Sequence, residues 1–540
     1  MFRAPAAIPF DPALDHPGIR IAATTEGYSL VAPGLCFATM TATRTPGVPV
    51  IENGRLISTN PATGAEIGAF PVASADAVGA AVDRARPAAE WWAGLGFTGR
   101  KQRLLRWTSL LANRIQDVSE LISREGGKPV AEAVVECFAA IEHVSWAAKH
   151  AERVLKLRRV RGSVSLAEFS AYLEYQPYGV IGVIGPWNYP IFTPMGSIAY
   201  ALAAGNAVVF KPSEYTPAVG RLIVDTFAEV VPEQPVLQIL YGKGDVGAML
   251  TRAGVGKVAF TGSTATGKKI MASCAETMTP VLLECGGKDA MIVDSDADLD
   301  AAASAAAWGG LTNAGQTCIG IERIYVVDKV HDVFVDKLVA KASALKVGVD
   351  QDSDIGPITM PAQIDTIRHH IADALDHGGR AVLGGLDAVA APYVRPTILV
   401  DVPEDSVAVC EETFGPTLTV SRVANAHEGV RLANAARYGL GGAVFGRRDA
   451  MRIARSLRSG MTSVNSTLTF AGMGSLPFGG VGDSGFGRIH GADGLREFAR
   501  PKAITKRRAR SLLPSMSFER TPKQVEIIKR VVKTLHGRRR

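Results

Sequence analysis

Residues 180–214 read VIGVIGPWNYPIFTPMGSIAYALAAGNAVVFKPSE. Between Glu174 and Lys211 there is no charged side chain, a run of 36 residues. That is long enough to cross a bilayer. Pro177, Pro186, Pro190 and Pro194, with Asn188 and Asn206, argue against a spanning helix, because each proline removes a backbone donor and each amide needs a polar partner. The alternative is a buried strand at 180–184, a loop, a helix around 195–204 and a second buried strand at 207–210. Strands that read as continuous Val/Ile runs are covered on both faces, as in a parallel sheet.

The same alternation continues outward. A helix at 217–229 leads to an apolar strand at 236–241, and a helix near 246–252 leads to a strand at 257–260. Another helix begins near Thr264. A second series follows, with a strand at 290–293, a helix at 297–309, a strand at 323–327 and a helix at 331–345, and runs to about 460. Strands alternating with helices predict an α/β protein. Upstream, residues 76–157 have mostly helical apolar spacing, and Pro61–Gly64 reads as a turn between two short strands. Residues 1–50, rich in Pro, Ala and Thr, read as an extended arm.

A length of 540 residues implies two or three domains. Hydrophobic residues at 47% and charged residues at 21% fit a packed chain. Six cysteines without a C-x-x-C pair exclude a disulfide scaffold and zinc-ribbon spacing, so no metal is expected, and a cytoplasmic protein with reduced thiols is the default. The net charge of +7 suggests a nucleic-acid partner until it is mapped. Residues 501–540 carry 13 Lys or Arg against 2 Asp or Glu, and the other 500 carry 46 against 50. The excess belongs to a tail, and no nucleic acid is expected.

Ligands bind at the carboxyl ends of the strands of such sheets. Gly262–Gly267 follows one strand end and opens a helix whose N–H groups could receive a phosphate, or it is an ordinary helix start. Lys211 and Glu214 follow another strand end, where they could hold ribose hydroxyls or form a solvated loop. Cys318, in Gly315-Gln-Thr-Cys318, has small neighbours and room for a substrate; a thiolate there, its pKa lowered, would be a strong nucleophile, and the plain reading is an inert buried thiol. Glu284 follows the apolar run Val281–Leu283. Desolvation there would raise its pKa toward a general base's range, and a backbone-capping role is the alternative. Asn188, held between Pro186 and Pro190, could donate to an oxyanion or cap a turn.

Together these motifs resemble the aldehyde dehydrogenase superfamily. The resemblance rests on Gly185-Pro-Trp-Asn-Tyr-Pro190, Lys211-Pro-Ser-Glu214, Phe260-Thr-Gly-Ser263, Leu283-Glu-Cys-Gly-Gly-Lys288, Gly315-Gln-Thr-Cys318, Glu411-Glu-Thr-Phe-Gly-Pro416 and Pro477-Phe-Gly-Gly480, in family order across about 57–505. It implies a Rossmann-like parallel-sheet cofactor domain (57–284), an α/β catalytic domain (285–485) and a small β oligomerisation arm (160–178 and 486–508). These lie between an N-terminal extension (1–56) and a basic tail (509–540).

The resemblance also implies roles. Cys318 is the nucleophile, Asn188 with the Cys318 backbone N–H is the oxyanion hole, and Glu284 activates the water that hydrolyses the thioester. Trp187, Lys211, Glu214, Gly262, Ser263, Glu412 and Phe414 are the cofactor contacts. The product is a carboxylic acid, the cofactor NAD with NADP possible, and the assembly a homodimer or homotetramer. A carboxylate at 214 would accept bonds from both ribose hydroxyls and repel a 2′-phosphate, which favours NAD. The succinate-semialdehyde branch is the nearest resemblance within the superfamily. A coenzyme A-acylating enzyme and a catalytically silent protein are the alternatives. Cys285 stands where the family more often has Leu, which suggests an oxidant-sensing thiol beside the base.

In the tail, Val525, Ile528, Val532 and Leu535 share a helical face, with Lys529, Arg530 and Lys533 among the polar positions. Such a helix could lie peripherally on an anionic membrane or dock on a neighbouring subunit.

Overall fold

The computed structural model describes residues 45–163, 166–350, 352–509 and 517–537. Most of the expected N-terminal extension (1–44) lies outside them, as do 510–516 and 538–540 of the tail.

The uncharged stretch folds as its pattern dictates. Val180–Ile184 (β1) and Ala207–Lys211 (β2) are buried at every position and pair in parallel. Leu237–Ile239 (β3), Lys257–Thr261 (β4) and Val281–Glu284 (β5) complete a parallel sheet, with Gly485–Phe486 antiparallel at its edge beside β5; the order is 485–486, β5, β4, β1, β2, β3. A second sheet contains Asp289–Val293 (β6), Ile321–Val327 (β7), Arg380–Leu383 (β8), Thr397–Val400 (β9), Thr417–Val423 (β10), Gly442–Phe445 (β11) and Ser463–Val464 (β12), ordered β8-β9-β10-β7-β6-β11-β12. All its pairs are parallel except β8–β9.

The first sheet is packed by the helices Val130–Leu155 (α1), Phe192–Ala204 (α2), Pro217–Val230 (α3) and Thr264–Ala275 (α4), and Leu299–Leu311 (α5) covers the second. The core of the first layer is aromatic where helices meet. Trp107 packs edge-on against Phe227 at 5.0 Å, and its indole N–H donates to Thr226 Oγ1 at 3.0 Å; Trp92 donates to the Leu202 carbonyl at 2.8 Å. Each buried ring thus has its polar tip satisfied.

A third sheet is the arm. Phe169–Pro177 pairs antiparallel with both Arg158–Val160 and Ala499–Arg507. In the tail, Pro522–His536 is helical as its spacing predicts. A reciprocal capping box of Thr521 and Gln524 starts it, with Pro522 in the first turn. None of its residues is buried; Val532 and Leu535 are each 53% exposed.

Asn206 joins layer to arm. Its Nδ2 donates to the Ala201 and Phe498 carbonyls and its Oδ1 accepts from the Gly179 N–H, all within 3.0 Å. Asn206→Ala removes the side-chain partner of the Phe498 carbonyl and the Gly179 N–H, while the Ala201 carbonyl keeps the backbone N–H of residue 206, and a loss of ~1–3 kcal/mol is expected. Denaturant melts check this, and a loss below ~1 kcal/mol would contradict it.

Candidate functional site

Two chain reversals meet at the carboxyl ends of the strands. The loop after β1 carries Pro186–Pro190 and delivers Trp187, Asn188 and Tyr189 before α2 begins. The loop after α5 carries Asn313, Ala314 and Gly315 in three consecutive left-handed conformations (φ +52, +55 and +70) and ends at Cys318. A side chain at Gly315 would place its first carbon 2.1 Å from the Gly415 carbonyl oxygen, so only glycine fits. Left-handed Asn and Ala persist only where the surroundings compel them.

The compulsion comes from α1 and its approach. Glu132 accepts the Thr312 hydroxyl at 2.8 Å and the Asn313 N–H at 2.9 Å. Glu136 accepts the Ile191 and Phe192 N–H groups at 2.9 and 3.1 Å, capping α2, and pairs with Lys128 at 2.6 Å. Lys128 also donates to the Asn188 carbonyl at 2.7 Å, and Asn313 Nδ2 reaches the same oxygen at 3.0 Å. One helix therefore sets the register of both loops. The signal for this was present in the sequence, since Lys128, Glu132 and Glu136 recur every four residues beside the apolar stripe Ala133, Cys137 and Ala140.

Cys318, Glu284, Cys285 and Thr261 stand between two cavities and line both. One, of about 230 Å³, is bordered by Trp187, Asn188, Gly262, Ser263, Glu412 and Phe414. The other, of about 500 Å³, is bordered chiefly by apolar side chains, among them Phe192, Trp308, Leu468, Met473 and Ile489.

The smaller cavity suits a dinucleotide. Ser263 caps the start of α4, accepting the Thr266 N–H at 3.3 Å, and the first turn of that helix offers N–H groups to an anion. Glu412 is half-buried, accepts the Gly287 N–H at 2.9 Å and is pushed up to about 8 by desolvation and then by Glu322. Phe414 is left-handed (φ +50) and meets Trp187 edge-on at 5.5 Å. Its loop is held by Glu322, which accepts the Thr413 and Phe414 N–H groups at 2.8 and 3.0 Å and pairs with buried Lys288. Lys211 and Glu214 do not border this cavity. They pair with each other at 3.2 Å at the end of β2, where Lys211 is buried and Glu214 partly exposed.

Asn188 Nδ2 donates one hydrogen to the Gln316 carbonyl at 2.9 Å, which orients the amide between the two loops. Both carboxylate oxygens of Glu284 are buried without a hydrogen-bond partner. Burial raises its pKa well above the usual carboxylate range, only partly countered by Arg488. Cys318 differs from the lowered pKa its sequence suggests. Burial, then the carboxylates of Glu412, Asp289 and Glu284, push its thiol up. Among the described residues no cation is paired with it. Cys285 is pushed up to about 12 by burial and then by Glu284.

Residues 51–504 match the aldehyde dehydrogenase family model, and the chain belongs to that family. It is 37% identical over 459 residues to the 4,4′-diapolycopene aldehyde oxidase of a Methylomonas species, covering 84% of this chain and 86% of that protein. It is 34% identical to the glutarate-semialdehyde dehydrogenase of Pseudomonas putida over 84% of this chain and 95% of that one. A crystal structure of an Escherichia coli NADP-dependent enzyme superposes with a TM-score of 0.80 at 34% identity, covering 84% of this chain and 94% of that chain. The protein is an NAD(P)-dependent aldehyde dehydrogenase.

Glu284 carries a cost in stability. Its folded pKa is raised, so between the unfolded value near 4.3 and the folded value the folded chain holds the extra proton. The group's contribution is then most favourable below the unfolded pKa and declines as pH rises. Glu284→Gln keeps the shape and removes the titration. Thermal melts should show the variant more stable than the parent at about pH 8, with the gap closing toward about pH 4. A gap independent of pH would contradict this.

Proposed function

We propose that the chain oxidises an aldehyde to its acid through a covalent thioester on Cys318, with water as the final acceptor. The overall balance is RCHO + H2O + NAD(P)+ → RCOO− + NAD(P)H + 2H+. The observation that carries this reading is the position of Cys318 and unpartnered Glu284 on the shared wall of the two cavities. Glu284, with its raised pKa, is matched to take the Cys318 proton as the thiol attacks the carbonyl carbon. The free hydrogen of the Asn188 amide and the Cys318 backbone N–H receive the developing oxyanion of the thiohemiacetal. The bound dinucleotide supplies the acceptor for the hydride lost from that carbon. Glu284 then removes a proton from water, which attacks the thioester and releases Cys318.

Trp187, Gly262, Ser263, Glu412 and Phe414 would hold the nicotinamide half and the phosphates, and Lys211 with Glu214 the adenosine ribose. In this assignment 57–284 is the cofactor domain and 285–485 the catalytic domain. A carboxylate at 214 favours NAD. The arm strands 169–177 and 499–507 would join subunits into a dimer or tetramer.

NADH production from a simple aldehyde tests the reading. Cys318→Ala should lower kcat by at least about 10³-fold with cofactor binding kept, and Asn188→Ala by about 10²–10³-fold. Glu284→Gln should slow thioester hydrolysis about 10²–10⁴-fold. Coenzyme A should give no acyl-coenzyme A in the parent enzyme. Acyl-coenzyme A formation, or full activity in Cys318→Ala, would refute the mechanism, and a higher kcat/KM with NADP would refute the cofactor preference.

For the tail helix we propose peripheral contact with an anionic membrane, supported by its capped N-terminus, an apolar face of which no residue is buried, and its four Lys or Arg at 523, 529, 530 and 533. Full-length protein should sediment with phosphatidylserine vesicles, and residues 1–510 should not; equal binding of the two would dispose of the contact.

A further inference from the structure

The 500 Å³ cavity contains information about the substrate that the reaction itself does not. Its volume lies within the range of sites for drug-sized ligands. Among its bordering residues there is no Lys, Arg or His. The charged groups that do border it are carboxylates: Glu132, Glu136 and Glu284.

Lys128 and Arg488, which act on the bordering residues Glu136 and Glu284, have partners of their own. Lys128 lies over the Tyr189 ring at 3.9 Å, but its charge is spent on Glu136 and the Asn188 carbonyl. The Arg488 guanidinium donates to the Gly480 and Gly487 carbonyls. Behind the wall, His143 and His490 stack at 3.6 Å and pack edge-on against Phe192 and Phe478, two bordering residues. Burial pushes both imidazoles down, so they are neutral and apolar in effect.

The mouth continues the same character. Val135, Trp308 and Met473 border the cavity and are 54%, 49% and 52% exposed; Phe138, one turn along α1 from Val135, is 61% exposed. A small aldehyde leaves this surface in water, whereas a long alkyl chain covers it.

We propose that the substrate is a long-chain apolar aldehyde with no terminal carboxylate, its carbonyl at Cys318 and its chain running past Phe192 and Leu468 to Val135, Trp308 and Met473. The inference rests on the dehydrogenase reading above and narrows it. A terminal carboxylate in this cavity would meet Glu132, and no Lys, Arg or His among the described residues borders the cavity to offset its desolvation. Each added methylene removes further apolar area from water.

The test has a turnover arm and a binding arm. In the first, kcat/KM is measured for straight-chain aldehydes from three to twelve carbons and for ω-carboxy aldehydes of the same lengths. It should rise about fourfold per methylene (~0.8 kcal/mol) until the cavity is filled, and an ω-carboxylate should lower it at least about 100-fold at equal length. In the second, the same compounds bind the Cys318→Ala protein, followed by calorimetry. If turnover is absent while this protein still prefers the apolar chains, the dehydrogenase reading fails and the cavity assignment stands. If the ω-carboxy aldehydes bind as well or better, the assignment is overturned. Val135→Arg, a change on an exposed helix face, supplies a cation at the mouth and should raise the ω-carboxy preference at least about tenfold with an unchanged melting temperature. An unchanged preference would remove the chain from this wall and overturn the proposal.

Discussion

Two carboxylates one helical turn apart, Glu132 and Glu136, determine the geometry of the site. Each is bound to backbone N–H groups of a different loop, one leading to Cys318 and the other leaving Asn188. Because both sit on α1, the separation of thiol and amide is fixed by the rise of a single helix. That is why left-handed Asn313 and Ala314 can be retained. Their strain is opposed by charge-assisted bonds from Glu132 to the Thr312 hydroxyl and the Asn313 N–H. Lys128 closes the arrangement by neutralising Glu136 while holding the Asn188 carbonyl, so the network has no unsatisfied member at its centre.

The cofactor side repeats the device with different residues. Glu322 accepts two consecutive N–H groups from the turn at Thr413 and Phe414, and Lys288 neutralises it. A left-handed Phe is again supported by a buried, fully bonded ion pair. Removing one partner of such a pair is far more damaging than its net contribution suggests, because the other charge is left dry. Glu284 is the exception. Its carboxylate oxygens have no hydrogen-bond partner, and burial raises its pKa as burial raises that of the Cys318 thiol on the same cavity wall. Rigid supports and one uncompensated carboxylate divide the stability and the reactivity of the site between them.

Most of the fold could be read from period and charge. The uncharged run ending at Phe210 contained too many prolines for a membrane helix and too many Val and Ile for a loop, and it folds as strand, loop, helix and strand. The tail helix announced itself by a four-residue apolar spacing. What period cannot convey is electrostatic environment. The raised pKa of Cys318 comes first from burial and then from Glu412, Asp289 and Glu284, of which Glu412 lies more than a hundred residues from the other two. The small neighbours in its motif suggested a thiol with room for a substrate and did not reveal this. Likewise, Lys211 and Glu214 read as a ribose pair from their position at a strand end, yet their first partners are each other. The supporting trio of Lys128, just before α1, and Glu132 and Glu136 on it had a visible spacing, but nothing in one sequence says which loops would come to meet it.

The two cavities differ in their polar groups. The smaller sets Asn188, Ser263, Gln363 and Glu412 beside the apolar Trp187, Met360 and Phe414. The aldehyde end of a substrate offers one weak acceptor, and all further discrimination must come from the remainder of the molecule. An apolar wall discriminates by area, roughly 25 cal/mol for each Å² covered, and rejects charge by leaving it unsolvated. Attraction at a distance is then absent, since a neutral chain is not steered by fields, and encounter depends on where such chains are concentrated. They partition into lipid. The membrane contact proposed for the basic C-terminal helix, none of whose residues is buried among the described residues, would place the enzyme where such chains concentrate. The +7 net charge belongs almost wholly to that tail, while the other 500 residues are close to neutral.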